Sequence, residues 1–288
     1  MATPFVSALF QYPIKSCAGF RVSELMMGPR GSEGDRMFMV TDEKYVFRTQ
    51  RRENGGFTNM ARVGCRLIDH GKTLTIFSTQ FPHLRREIKI LTSADKVVQV
   101  QVHKDTCDAI DQGDEAADYL SDLLSAPCRL VGMADTFYRR VDPVFSPETA
   151  YVSFADAYAV LLISDASLAD LNSRLEAQDK EPVSRDNFRS CMWVGGCSPY
   201  EEDTWKQIQI NGVVFDVVKP CQRCSITQVD HLVGRYRGDK EPLITLRGYR
   251  HQTIPQTGQQ GVMFGQNLVN RGFGIIRARD RVQVLERK

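Results

Sequence analysis

The sequence predicts a β-rich α+β protein. Three observations carry that reading: most of the hydrophobic patterning has a period of two, only two segments repeat at helical spacing, and one Asn-Gly pair separates two alternating runs.

The opening segment places Val6, Ala8, Phe10 and Tyr12 on one face, which predicts a half-buried strand ending at Pro13. A loop with Lys15 and Ser16 follows. Alternating or β-branched runs at 37–41, 74–78, 88–91, 96–103 and 128–132 predict further strands, so strands dominate the first half. Residues 114–124 (DEAADYLSDLL) put Ala116, Tyr119 or Leu120, and Leu123 at helical spacing, with acids in the first turn to suit the macrodipole. A second helix is expected from an N-cap at Ser164 to about Glu176, its Leu168, Leu171 and Leu175 packing on the sheet.

In residues 206–218, Ile208 and Ile210 alternate, Asn211–Gly212 follows, and Val213, Phe215 and Val217 alternate again. That pattern predicts a type I′ hairpin, because both turn residues must take positive φ. Its second strand reaches Pro220, where regular pairing is expected to end, leaving Cys221 and Cys224 in a loop. The last strand, 281–285, turns Val282 and Val284 inward and closes an antiparallel barrel or strongly coiled sheet. Two widely spaced helices are too few for a doubly wound parallel fold, and no internal repeat is visible.

A chain of 288 residues forms one large domain or two modest ones. With 42% hydrophobic and 25% charged residues, disorder and fibrous repeats are excluded. Lys and Arg number 37 against 35 Asp and Glu, so no global positive field attracts nucleic acid, and any anion site must be local. The clusters at 48–52 and 139–140 read mainly as solvated loops, with phosphate or partner binding as the lesser reading. The first residues carry neither an early positive charge nor a long apolar run, and the longest apolar stretch, 157–163, is too short to span a bilayer. A soluble cytoplasmic protein without membrane attachment is expected. The eight cysteines are then reduced thiols, of which only Cys221 and Cys224 form a tight pair.

That pair lies in KPCQRCSITQVD, residues 219–230, beside Lys219 and Arg223, whose charges favour a thiolate. Structural zinc would need two more ligands, from Cys191 and Cys197 or from His231. A redox disulfide would need a helix after the pair, yet Ser225, Thr227 and Val229 favour strand. Two core thiols without a role are a further reading. A single metal-ligating thiolate with an anion-binding collar would bring together Lys15–Ser16, Asp35–Arg36, Arg189 and Arg223. His231 is expected to be exposed.

YPIKS (12–16), GDRMF (34–38), SFADAY (153–158), LISDASLADLNSRL (162–175), KPCQRC (219–224), EPLITLRGYR (241–250) and FGQN (264–267) stand in one order along the chain. In that order they resemble the MOSC superfamily, in particular bacterial YcbX-type proteins and the mitochondrial amidoxime-reducing component. The resemblance covers nearly the whole chain. It implies a MOSC β-barrel, made by residues 1–36 and 131–288, with an α+β MOSC N-terminal-type domain at 37–130. It implies a molybdenum cofactor, molybdenum-molybdopterin, in a positive cleft between them, with Cys224 as the protein ligand to the metal and as the catalytic residue, and Cys221 only a neighbour. Lys15, Ser16, Arg36 and Arg189 would meet the cofactor's phosphate and pterin, and Asp156, Ala157, Tyr158, Gln222, Arg223 and Asn267 would line the remainder.

The implied activity is two-electron reduction of small N-hydroxylated molecules (hydroxylaminopurines, amidoximes, hydroxylamines) from N–OH to N–H, a detoxifying reaction. The alternative is a non-catalytic cofactor carrier or sulfur-transfer module using Cys224. Two departures from the family stand out. Ser190 and Cys191 replace the usual proline and asparagine after Arg189. No iron–sulfur domain follows the closing strand before Lys288, so a separate electron-donor protein of flavin reductase, ferredoxin or cytochrome type is expected.

Overall fold

The structure, a computed structural model, describes residues 3–52, 55–92, 96–146 and 148–288. Strands dominate, as the alternation predicts. The largest sheet has nine strands: eight run from Val282–Arg287 through Trp205–Ile210, Val213–Gln222, Gln260–Asn270, Val160–Ser164 and Met192–Gly195 to Phe5–Gln11 and Phe20–Val22, and His251–Thr253 pairs with Gln260–Asn270 off that path. It curls until the segment leading into Val282–Arg287 meets Phe5–Gln11. The Val6 N–H donates to the Asp280 carbonyl at 2.8 Å, the Arg279 N–H donates to the Val6 carbonyl at 2.7 Å, and Phe5 bridges Arg281.

The inner face of this sheet collects Val6, Leu9, Leu162, Met192, Val194, Ile208, Ile210, Phe215 and Leu268 into one apolar core. Its outer face puts Ala8, Ile163, Trp193 and Phe264 against Leu171 and Leu175 of helix α1 of this sheet, Asp165–Glu176. The opening strand is therefore covered on both faces and not half-buried, with Val6 and Leu9 inside and Ala8 outside. Ser164 caps that helix, its hydroxyl accepting from the Ser167 N–H at 3.0 Å. The helix links Val160–Ser164 to Met192–Gly195 as a parallel pair, an exception to the antiparallel pattern.

The Asn211–Gly212 hairpin forms as read, with both residues at positive φ and Ile210 paired to Val213. Its second strand does not stop at Pro220: it runs to Gln222, pairing Lys219 with Asn267, Pro220 with Gln266 and Gln222 with Met263 across two bulges. The partner on its other side reaches only Asp216, so Pro220 sits on an edge where a missing N–H costs no ladder bond. Cys221 thus belongs to the strand. Residues Ser225–Gln228 form a 3-10 turn where strand was expected, because the Thr227 N–H and hydroxyl both close on the Cys224 carbonyl, at 3.1 and 2.9 Å. A helix that escaped the periodicity, Leu243–Arg250, is too short and too interrupted by Gly248 to announce itself.

The second body joins Val97–Val102, Asp105–Asp111, Arg129–Met133, Phe38–Thr41 and Ile14–Lys15 in a five-stranded sheet, with a three-stranded sheet, Val63–Ile68, Thr73–Ser78 and Arg85–Lys89, beside it. The helix Asp114–Leu124 has its predicted bounds and buries Ala116, Ala117, Leu120 and Leu124, one residue round from the expected face. After Pro13 the chain leaves the large sheet and pairs Ile14–Lys15 in parallel with Phe38–Met39. Lys15 and Ser16 consequently lie where the two bodies meet. Among the described residues no helix is long and apolar enough to cross a membrane.

Candidate functional site

A cleft of about 790 Å³ opens along that junction. All of Lys15, Ser16, Arg36, Asp156, Ala157, Tyr158, Arg189, Gln222, Arg223, Cys224 and Asn267 line it. Residues far apart in sequence are thus brought to one wall each. Lys15 and Ser16 come from the crossing segment, Arg36 from the turn before Phe38–Thr41, and Asp156 to Tyr158 from the loop before Val160–Ser164. Arg189 follows the 3-10 turn Arg185–Asn187, and Gln222 to Cys224 close the long hairpin strand.

Three of these positions, Ser16, Arg36 and Arg189, hold left-handed backbone at φ of 65°, 48° and 54°. Such conformations cost about 1 kcal/mol or more in a residue with a side chain, and persist where the surroundings enforce them. Arg36 is held by its N–H on the Tyr12 carbonyl at 2.8 Å and by its carbonyl accepting from the Phe154 N–H at 3.0 Å. The backbone here serves to aim side chains.

Arg36 and Arg189 stack on the buried Tyr12 ring, 4.4 and 4.7 Å from its centre, and Arg36 donates to the Arg189 carbonyl at 2.8 Å. Asp35 pairs with Arg36 and accepts from the Tyr12 N–H at 2.8 Å. Burial, reinforced by Arg36, holds the Arg189 guanidinium below its usual value. One carboxylate against two packed guanidiniums leaves positive charge that an anion would stabilise.

On the opposite wall, Asp156 accepts from Lys15 and Arg51 in short ion pairs and lies 3.3 Å from His103 Nε2. Burial opposes ionisation of Asp156, but Lys15, His103 and Arg51 outweigh it and hold the carboxyl well below its ordinary range. Burial lowers the Lys15 ammonium to about 8 despite Asp156.

Cys224 is half-buried. Burial pushes its thiol up, while Arg51 and Arg223 pull it down. Arg223 does not point at Cys224: it donates to Cys221 Sγ at 3.0 Å and to the Phe188 carbonyl at 2.8 Å, and its Nε is buried without a partner. Lys219 lies over the Phe145 ring at 4.4 Å. Asn267 donates to the Pro220 carbonyl at 3.4 Å, and Gln222 accepts from Gln259 at 2.6 Å. Gly265, at φ 82°, lets this strand approach so closely that a Cβ would sit 2.5 Å from Ile163 Cγ1.

Several expectations need correction. All eight cysteines are free, and among the described residues no three of His, Cys, Asp and Glu converge on a point that could hold a metal, so the four-ligand zinc reading has no geometry. Cys191 is wholly buried, its Sγ 3.4 Å from the Leu161 N–H, pinned between strands. His231 is half-buried rather than exposed, with Nε2 shut away from partners, and burial with Arg189 nearby lowers it to about 4. Arg139 is no loop cation: it is buried, donating to Asp105 at 2.7 Å, to the Asp156 carbonyl at 2.7 Å and to the carbonyls of Ser153 and Ala155. Arg51, Arg139 and Arg140, for which phosphate binding was the lesser reading, line the cleft, as does Lys219 beside the cysteine pair. His103 and Lys104 line it too, and nothing local marks those two, since their places depend on which strands pair.

The lining holds nine Lys and Arg side chains against three Asp, although the whole chain is nearly balanced. This is a site for a polyanion with a thiol at its edge. The buried Tyr158 hydroxyl and Arg223 Nε, both without partners, are donors left for such a ligand.

Comparison with known proteins agrees with the architecture. Residues 3–127 match the MOSC N-terminal beta barrel domain and residues 149–283 match the MOSC domain. The chain belongs to the MOSC family. It is 34% identical to mitochondrial amidoxime-reducing component 1 of Homo sapiens, over 97% of this chain and 82% of that one, and 32% identical to mitochondrial amidoxime reducing component 2 of Homo sapiens, over 85% and 72%. It is also 28% identical to the molybdenum cofactor sulfurase of Oryza sativa subsp. japonica, over 86% of this chain but only 31% of that protein. The names of the first two place them in the mitochondrion, a compartment the cytoplasmic expectation did not include.

Proposed function

We propose that this protein binds the molybdenum cofactor through Cys224 and reduces N-hydroxylated small molecules, N–OH to N–H. The observation that carries the reading is the convergence of eleven dispersed residues, nine polar, one alanine and one thiol, on a single cation-rich cleft. The likeness to amidoxime-reducing components supports the reaction class.

In this reading Arg36 and Arg189 grip the cofactor's phosphate, because two guanidiniums sharing one carboxylate gain most from a dianion. Lys15 and Ser16 complete that corner, and Tyr158, Arg223 and Asn267 orient the pterin. When bound, the cofactor supplies two-electron redox chemistry and an oxygen-accepting metal site. Burial raises the Cys224 thiol and Arg51 and Arg223 only oppose it, so its proton would leave as the metal binds. Electrons arrive from a separate donor protein.

The test is turnover. Cofactor-loaded protein with a chemically reduced viologen as donor should convert an amidoxime to its amidine, and Arg36→Ala should lower molybdenum and pterin content. Loaded protein that reduces no N-hydroxylated compound contradicts the reading. That result would favour the second one, a carrier or sulfur-transfer module on Cys224, which the likeness to molybdenum cofactor sulfurase supports.

A further inference from the structure

Reduction of an N–OH group consumes two electrons and two protons. One proton makes water of the departing hydroxyl and the other ends on nitrogen. A side chain of the cleft can deliver the first.

Most charged groups there are unsuited to it. Arginines keep their protons at neutral pH. Asp156 is held ionised by Lys15, His103 and Arg51. Lys15 has its ammonium committed to Asp156 and, at 2.6 Å, to the Phe154 carbonyl. Cys224 is the proposed metal ligand. Lys219 lies over the Phe145 ring and the Tyr158 hydroxyl is buried, whereas His103, the one histidine among the described lining residues, is half open and already fixed by a carboxylate of the cleft.

His103 occupies the two-residue turn between Val97–Val102 and Asp105–Asp111, where Val102 pairs with Asp105. Its φ is 54°, a left-handed turn position that glycine or asparagine normally fills. An imidazole there is anomalous for a hairpin but puts the ring over the cleft. Its Nε2 lies 3.3 Å from Asp156 Oδ1, and close to half of the side chain is open. The arrangement is locked from behind: Arg139 holds Asp105 on the hairpin and the Asp156 carbonyl on the facing loop, each at 2.7 Å. Charged neighbours are therefore Asp156 with its partners Lys15 and Arg51, Asp105 with Arg139, and Lys104 beside it in the turn.

We propose that His103, oriented by Asp156 across the junction of the two bodies, is the proton donor to the substrate's hydroxyl; this rests on the reductase reading above. With Nε2–H given to Asp156, Nδ1 carries the transferable proton. As the N–O bond breaks, that proton goes to the substrate's oxygen, which ends as water, and the cofactor, when bound, would supply the two electrons it receives from the donor protein. Solvent then reprotonates the ring and supplies the second proton, which ends on nitrogen.

The experiment compares wild type, His103→Gln and His103→Asn, the last keeping a residue suited to the turn. All are cofactor-loaded and driven by reduced viologen on an amidoxime. We expect kcat to fall about 100-fold in both variants, with KM and molybdenum and pterin contents unchanged. As a readout independent of turnover, diethylpyrocarbonate should modify His103, scored by mass spectrometry, more slowly when oxidised loaded protein is saturated with the amidoxime. Variants within threefold of the wild-type rate, or modification indifferent to substrate, overturn the assignment. A wild type without any turnover removes the reductase reading, and this assignment with it.

Discussion

Cys224 sits at the end of a strand with its sulfur against the cleft and its carbonyl capping the next turn, so its backbone role is independent of its thiol. Cys224→Ala should therefore keep the fold, within about 1 kcal/mol in denaturant unfolding, and lose more than nine-tenths of reductase activity. Cys221→Ala should be far milder, since that sulfur accepts from Arg223 and is placed as a neighbour. Lys15 gives a pH signature. Burial brings its ammonium to about 8, so its charge is complete below that and lost as pH rises through it. A bound phosphate raises the midpoint further. Cofactor retention on dialysis should accordingly weaken above about pH 8 in the wild type, and Lys15→Arg, charged throughout, should flatten that loss if the protein still loads. Retention that is equally flat in both would remove Lys15 from the phosphate corner.

At the scale of elements, the hairpin turn and the buried arginine behind the cleft make contrasting demands. Gly212 has positive φ and open space around it, so Gly212→Ala tests backbone conformation alone and should cost about 1 kcal/mol by chemical denaturation. Arg139 ties the Asp105 hairpin to the loop 153–156. Arg139→Leu leaves those acceptors unpaired and should cost about 3 kcal/mol while loosening the loop that carries Asp156. Limited proteolysis should then cut near 150–158 sooner than in the wild type. The turn was legible because Asn-Gly acts locally. Arg139 was not, because its burial follows from Asp105 and Asp156, 51 positions apart in the chain, coming together around it, which no window reveals. Pro220 was misread for a related reason: whether a proline ends a strand depends on how far the neighbouring strand extends, here only to Asp216.

For the whole molecule, two bodies meet along one cation-lined seam. The strand alternation and both longer helices could be read from periodicity, and the positions of Lys15, Arg36, Arg189 and Cys224 from family likeness. What neither conveyed is the second wall, with Arg51, His103 and Arg139, built only when the smaller sheet docks against the loop at 153–158. In the proposed function the cleft holds molybdenum on the Cys224 sulfur. X-ray absorption at the molybdenum edge, on cofactor-loaded wild type and Cys224→Ser, should then show one fewer sulfur neighbour at the metal in the variant; an unchanged sulfur shell, or wild-type protein that takes up no molybdenum, would exclude that ligation.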